Sequence, residues 1–140
     1  MATINDFNQS VIDEFRANDG KVSGPFEGAP LLLLTTTGAK TGREHTTPVV
    51  YLQDGDRILV FGSKAGAPTH PAWYHNLVAN PTVTVELADE RFDARAVVTE
   101  GEERDRLFDL QKSRMPGFAD YERKTARQIP VIALERTPSE

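Results

Sequence analysis

The chain has 140 residues, no cysteine and three histidines, and 21 acidic side chains against 16 Lys and Arg give it a net charge of −5. That length carries one domain with a sizeable core. The missing cysteines exclude disulfides, thiolate metal sites and cysteine nucleophiles, and the scattered histidines lack the spacing of a metal site. The acidic balance excludes a general nucleic-acid binder, and no apolar run approaches membrane-spanning length, so a cytoplasmic location is expected.

Ile4, Phe7, Val11 and Phe15 recur at intervals of three and four, with Thr3 placed as an N-cap and Asp6 in the first turn. This predicts an amphipathic helix ending before Asn18-Asp19-Gly20. Its polar face, with Asp6, Asp13 and Glu14 against Arg16, is too acidic for an anionic lipid surface, so the expected partner is the rest of the domain, with a gate over a substrate pocket as the alternative. After an irregular Gly/Pro lead-in over 20–30, short branched or aromatic runs at 31–36, 48–53 and 58–61 predict three strands. Asp54-Gly55 offers a tight turn between the second and third, making them antiparallel neighbours. The loops over 37–45 and 62–70 must then emerge at one end, with the acidic hairpin at the other.

Those loops carry Lys40, Arg43, His45, Lys64 and His70 against the single acid Glu44, punctuated by Gly38, Gly42, Gly62 and Gly66. Cations with close-approaching backbone amides make a seat for phosphate or carboxylate. A Walker-type loop is excluded, because the glycine spacing is wrong and no helix starts after Thr41. A short helix is expected from the prolines at 68–71 to Asn80-Pro81. In it Trp73 either seals the core or borders a ligand, and Asn76 bonds either a ligand or a loop carbonyl. Alternating strands follow at 83–87 and 92–98. Thr99 and Glu102 suggest a capping box opening a helix with Leu107, Leu110 and Met115 inward, stopped by Pro116-Gly117. A second helical segment over 119–127 and a strand over 129–134 complete six strands, a small, partly open antiparallel barrel of the α+β class.

TTTGAKTGREHTTPV over 35–49 and GSKAGAPTHPAWYHNLVANP over 62–81 resemble the paired signature of the deazaflavin-dependent nitroreductase family, and the likeness runs from about residue 20 to the Ile129-Pro130-Val131 strand. The resemblance implies an N-terminal helix over 1–19 and a six-stranded split β-barrel over 20–140, flanked by middle and C-terminal helices, that binds coenzyme F-420. It further implies hydride transfer from the reduced deazaflavin to a small organic acceptor such as a quinone or nitro compound. No side chain is then assigned a catalytic role, because the cofactor supplies the hydride.

On that resemblance Lys40, Thr41, Arg43, His45, Ser63, Lys64 and the backbone of Ala65, Gly66 and Ala67 hold the phosphate and glutamyl tail. Pro48, Val49 and Val50 lie under the ring, with Pro71, Trp73 and Asn76 beside it. Val50, Met115, Phe118 and Tyr121 line the substrate pocket. Three of these four stand where the best-known family pattern has phenols, leaving Tyr121 alone, which favours quinones over bulky nitroimidazoles. A flavin mononucleotide enzyme of the related split-barrel type, or a non-catalytic deazaflavin carrier, would use the same loops. The sequence fixes no oligomeric state.

Overall fold

A computed structural model of the chain describes residues 4–18, 20–22, 30–54, 57–62, 70–87 and 90–137, with side chains from residue 8 onward. The order is α1 (Ile4–Ala17), β1 (Leu31–Thr37), β2 (Glu44–Asp54), β3 (Arg57–Phe61), α2 (Ala72–Ala79), β4 (Thr82–Leu87), β5 (Glu90–Val98), α3 (Gly101–Arg114), α4 (Gly117–Lys124) and β6 (Val131–Arg136). The expected Thr3 cap, most of the 20–30 lead-in, the Gly55-Asp56 turn and Ser63, Lys64, Ala65, Gly66 and Ala67 lie outside the described residues.

All six strands pair antiparallel in the order β1-β2-β3-β6-β5-β4, and β4 returns to β1. The barrel is therefore closed rather than partly open, because β5 also pairs with β6 and leaves neither edge free. Period-two alternation sorts the side chains. Leu32, Leu34, Ile58, Val60, Val83, Val85, Ala94, Ala96, Ile132 and Leu134 fill the interior with Trp73 and Leu77 of α2.

Outward residues of β1, β2, β3 and β6 are apolar too, because helices cover them. Leu31 and Leu33 pack under Val11, Ile12 and Phe15 of α1. This is the docked position expected for that helix. Leu52, Leu59, Phe61, Val131 and Ala133 pack under Leu107, Phe108 and Phe118 of α3 and α4. Arg16 clasps Glu86 of β4 through two nitrogens at 2.8 and 3.0 Å, tying the end of α1 to the barrel.

Several boundaries differ from the sequence reading for physical reasons. β2 starts at Glu44 rather than Pro48, since the threonine run continues the ladder and the Thr35 and Thr46 hydroxyls bond across it at 2.8 Å. Pro48 is tolerated mid-strand because β3 pairs with β2 only from Tyr51 onward. The capping box at Thr99 does not form. Its hydroxyl donates instead to the Val131 carbonyl at 2.8 Å, and Glu100 takes the N-cap position without a side-chain bond. α4 begins at Gly117 rather than residue 119, since Pro116, which ends α3, also opens the next helix. β6 begins at Val131 rather than residue 129, leaving Pro130 to pack against Gly62. No described helix is long and apolar enough to cross a membrane.

Candidate functional site

The β1–β2 connection is tied by three bonds within itself. Gly38 N–H donates to the Arg43 carbonyl at 2.7 Å, Gly42 N–H to the Gly38 carbonyl at 3.0 Å, and Arg43 N–H to the Thr41 hydroxyl at 3.2 Å. Gly42 holds φ +72°, the left-handed region that favours glycine. At Gly38 a Cβ would stand 2.8 Å from Thr41 Oγ1, 3.2 Å from the Arg43 carbonyl oxygen and 3.3 Å from His45 Nε2, so only glycine fits the backbone under those groups. Lys40, Thr41, Arg43 and His45 are all exposed at the mouth of this turn.

Two further bonds, both from Asn76 of α2, fix the turn to the barrel. Its Oδ1 accepts the Ala39 N–H at 3.1 Å and its Nδ2 donates to Thr36 Oγ1 at 3.2 Å. Asn80 adds a donation to the Thr37 carbonyl at 3.4 Å. The sequence left Asn76 between a ligand and a loop carbonyl, and its loop partner is a backbone amide.

A cleft of about 870 Å³ lies between this turn, α1 and α2. Its floor is Thr36, Gly38, Thr46 and Thr47, its rim carries Lys40, Thr41, Glu44 and His45, and its walls are Asn8, Gln9 and Ile12 on one side and Trp73, His75 and Asn76 on the other. The volume lies in the range of pockets for cofactor-sized molecules. Trp73 takes the core position expected of it, 8% exposed among the barrel residues, and its edge also lines the cleft.

Of the residues expected under a ring, Pro48 and Val50 face outward on β2 while Val49 turns its side chain into the barrel core. Successive strand residues point to opposite faces, so all three side chains cannot meet one ligand. Val50, Met115, Phe118 and Tyr121 do come together, in the cluster between β2 and the α3–α4 pair. Phe118 meets Tyr121 edge-on at 5.2 Å and Phe61 at 5.7 Å.

The second loop leaves β3 at Gly62 and reaches α2 through His70 and Pro71, so both loops share one end of the barrel as expected. His70 packs on Tyr74 at 4.7 Å and on His75 at 5.9 Å. Arg127 donates to the Gly62 carbonyl at 2.9 Å and meets His70 Nδ1 at 3.0 Å. Burial first, then the charges of Arg127 and His75, lower the His70 pKa below the usual histidine value. Sequence reasoning missed Arg127, Asn8, Gln9 and His75. Arg127 reaches His70 across 57 positions, and no local pattern announces such a contact.

A family model described as F420H2-dependent quinone reductase matches residues 8–136. An F420H2-dependent quinone reductase of Mycobacterium tuberculosis is 39% identical over 126 residues, which cover 87% of this chain and 85% of that one. A solved F420H2-dependent reductase, FDR-A, superposes with a TM-score of 0.69 at 41% identity over 76% of this chain and 94% of its own. A structure described as a domain-swapped dimer gives a TM-score of 0.71 at 36% identity over 95% and 100% of the two chains. HutZ, the heme storage protein of Vibrio cholerae, shares the fold alone, with a TM-score of 0.61 at 18% identity over 94% and 92%.

Proposed function

The chain belongs to the F420H2-dependent quinone reductase family, and from that premise we propose that the cleft beside the β1–β2 turn seats coenzyme F-420 and that the α3–α4 cluster receives the electron acceptor. The enzyme is an oxidoreductase whose donor is the reduced deazaflavin. The observation that carries the placement is the pair of Asn76 bonds, which hold the cationic turn over a cofactor-sized cleft.

Bound there, the reduced coenzyme supplies a hydride to the acceptor. The chain binds, orients and excludes water. From the first loop Lys40, Arg43 and His45 would hold the phosphate and glutamyl carboxylates and Thr41 would add a hydroxyl; Ser63, Lys64 and the amides of Ala65, Gly66 and Ala67 join this set on the sequence resemblance alone, since they lie outside the described residues. Gly38 supports this role by letting the turn close on itself, since a Cβ there would collide with Thr41 Oγ1, the Arg43 carbonyl and His45 Nε2 and displace the groups at the mouth of the cleft. Pro48 offers an apolar edge to the ring with Pro71 and Trp73. Val50, Met115 and Phe118 keep the acceptor dry, and the Tyr121 phenol holds a proton for an acceptor oxygen. A quinone needs only that hydride and proton. The cytoplasmic location expected from the sequence is part of this reading.

Fluorescence titration of the protein with F-420 and, separately, flavin mononucleotide at two salt concentrations tests the assignment through Trp73 and cofactor emission. Tight, salt-sensitive binding of the deazaflavin alone is expected. Removing Lys40 and Lys64 together, each a charge-assisted bond of about 1.5–3 kcal/mol, should weaken it by at least about a hundredfold. Unchanged affinity in the double variant sinks the anion assignment, and binding of flavin mononucleotide alone sinks the cofactor.

A further inference from the structure

We propose that Gln111 is a substrate-binding residue of the acceptor site, whose side-chain amide donates a hydrogen bond to a carbonyl oxygen of the quinone. The inference rests on the reading that places the acceptor at the α3–α4 cluster.

Five polar or charged residues are buried among the described residues, namely Thr35, Thr36, Thr99, Arg104 and Gln111. Four of them meet nitrogen or oxygen partners. Thr35 bonds the Thr46 hydroxyl at 2.8 Å, Thr36 accepts from Asn76 Nδ2 at 3.2 Å, and Thr99 donates to the Val131 carbonyl at 2.8 Å. Arg104 donates to the Ile129 carbonyl through two nitrogens, at 2.8 and 3.0 Å. Gln111 is the exception. It is 1% exposed, and among the described residues its side chain bonds only through Nε2, to Met115 Sδ at 3.4 Å. A thioether accepts weakly and cannot donate, so the nitrogen end of the amide is the end that faces Met115.

An amide buried against sulfur forgoes most of the hydrogen bonding it had in water, which ordinarily costs stability. A leucine or methionine would fill the same place on α3 without that cost, since its buried neighbours Leu107 and Phe108 are apolar. What the amide has and they lack is an N–H donor. Its present partner belongs to the acceptor cluster, where Met115 packs with Val50, Phe118 and Tyr121. Met115 is only half-buried, and its backbone N–H caps α3 on the Gln111 carbonyl. The cap keeps the two residues adjacent, while the flexible thioether side chain can swing aside. A quinone oxygen is a stronger acceptor than sulfur and takes its place. In the reaction the quinone receives a hydride and one proton and leaves as the hydroquinone, so negative charge grows on oxygen. A donor already aimed at that oxygen strengthens its bond as the charge develops. Gln111 has no proton to give up, and the proton itself falls to the Tyr121 hydroxyl.

Gln111→Met keeps the length of the side chain and removes the donor. It is compared with wild type for melting midpoint, F-420 Kd, steady-state kcat/KM with reduced F-420 and duroquinone, a fully methylated benzoquinone, and the infrared carbonyl stretch of duroquinone bound beside oxidised F-420. Midpoint and Kd should stay at the wild-type values, while kcat/KM falls at least about tenfold and the carbonyl stretch, lowered by binding to wild type, returns toward that of free duroquinone. A variant with wild-type kcat/KM and stretch overturns the proposal. So does a lowered midpoint with an unmoved stretch, which marks a purely structural amide. If Gln111→Met fails to fold, Gln111→Leu is read in the same way. Tyr121→Phe separates this proposal from the reading beneath it. Duroquinone kinetics altered by Tyr121→Phe but not by Gln111→Met overturn the role of Gln111 alone, whereas kinetics altered by neither place the acceptor elsewhere and overturn both.

Discussion

Replacing Asn76 distinguishes its role in the fold from its role in binding. Thr36 is 1% exposed, so Asn76→Ala leaves a buried hydroxyl without the donor it has at 3.2 Å. Ala39 is exposed, and its N–H recovers a bond from water. The net loss is then about 1–3 kcal/mol, which for a domain of this size lowers the melting midpoint by about 4–10 °C. The turn carrying Lys40 and Arg43 also loses its tie to α2, and F-420 affinity should fall about tenfold, or about 1.4 kcal/mol.

Asn76→Asp behaves differently. A carboxylate still accepts the Ala39 N–H, and the Thr36 hydroxyl can rotate to donate to its second oxygen. Stability should therefore stay near wild type. On the proposed reading the new negative charge would face the anionic part of the coenzyme, so affinity should fall further than in the alanine variant. The two rankings cross: Asp melts above Ala but binds below it. Thermal denaturation and fluorescence titration of the three proteins read both orders. An Asp variant that binds like wild type would mean that no anion lies near Asn76, and an Ala variant that melts like wild type would refute the hydrogen-bond argument.

Gly38→Ala pushes a methyl against Thr41 Oγ1 and the Arg43 carbonyl, which is itself held by Gly38 N–H, so F-420 Kd should rise at least about tenfold, as titration would show. His70 predicts a pH effect. Its folded-state pKa is lowered, so the unfolded chain binds the proton more readily, and stability is full above about pH 6.5 and declines as pH falls through the lowered value. His70→Gln, which keeps an acceptor for Arg127 but cannot titrate, should flatten that decline in melting midpoints between about pH 7 and pH 5. In steady-state assays with reduced F-420, small quinones should turn over readily, whereas bulky bicyclic nitroimidazoles should be reduced weakly or not at all, Tyr121 being the one phenol among the four expected substrate-pocket residues.

The parts of this fold that could be read from the sequence are those where one local signal decides the outcome. Asp54-Gly55 between two branched runs gave antiparallel neighbours, and from that single turn followed the shared end of the two basic loops. Period-three-and-four spacing gave α1 its docking face, borne out by Val11, Ile12 and Phe15 on β1. What local patterns could not carry was decided by partners distant in sequence. Thr99 had the spacing of a cap, but the Val131 carbonyl, 32 residues away, competed for its hydroxyl and won. β2 reached back to Glu44 because β1 offered partners up to Thr37. Asn8 and Gln9 became cleft walls only because Arg16 and the α1 apolar face fix that helix against the barrel.

Val50 joins the two halves of the site through a single rigid element. β2 is an 11-residue strand, and its outward side chains pass in turn from the cleft floor at Thr46, through Pro48, to Val50, which packs against both the α1 cluster and the α3–α4 cluster. Thr46 and Val50 are four positions apart, about 13 Å at roughly 3.3 Å per residue. Ladder bonds on β1 hold that spacing, so on the proposed reading a strand rather than loops would set how far the ring end of the coenzyme reaches from its anion seat toward the acceptor. Substitutions in the two places should then separate kinetically. Lys40→Ala removes attraction felt equally before and during reaction and should raise the KM for F-420 with little change in kcat. Val50→Ala opens space where the acceptor must be held at reacting distance, and should lower kcat about tenfold or more with a smaller change in that KM. A Val50→Ala enzyme altered only in its KM for F-420 would show that β2 does not set the transfer distance.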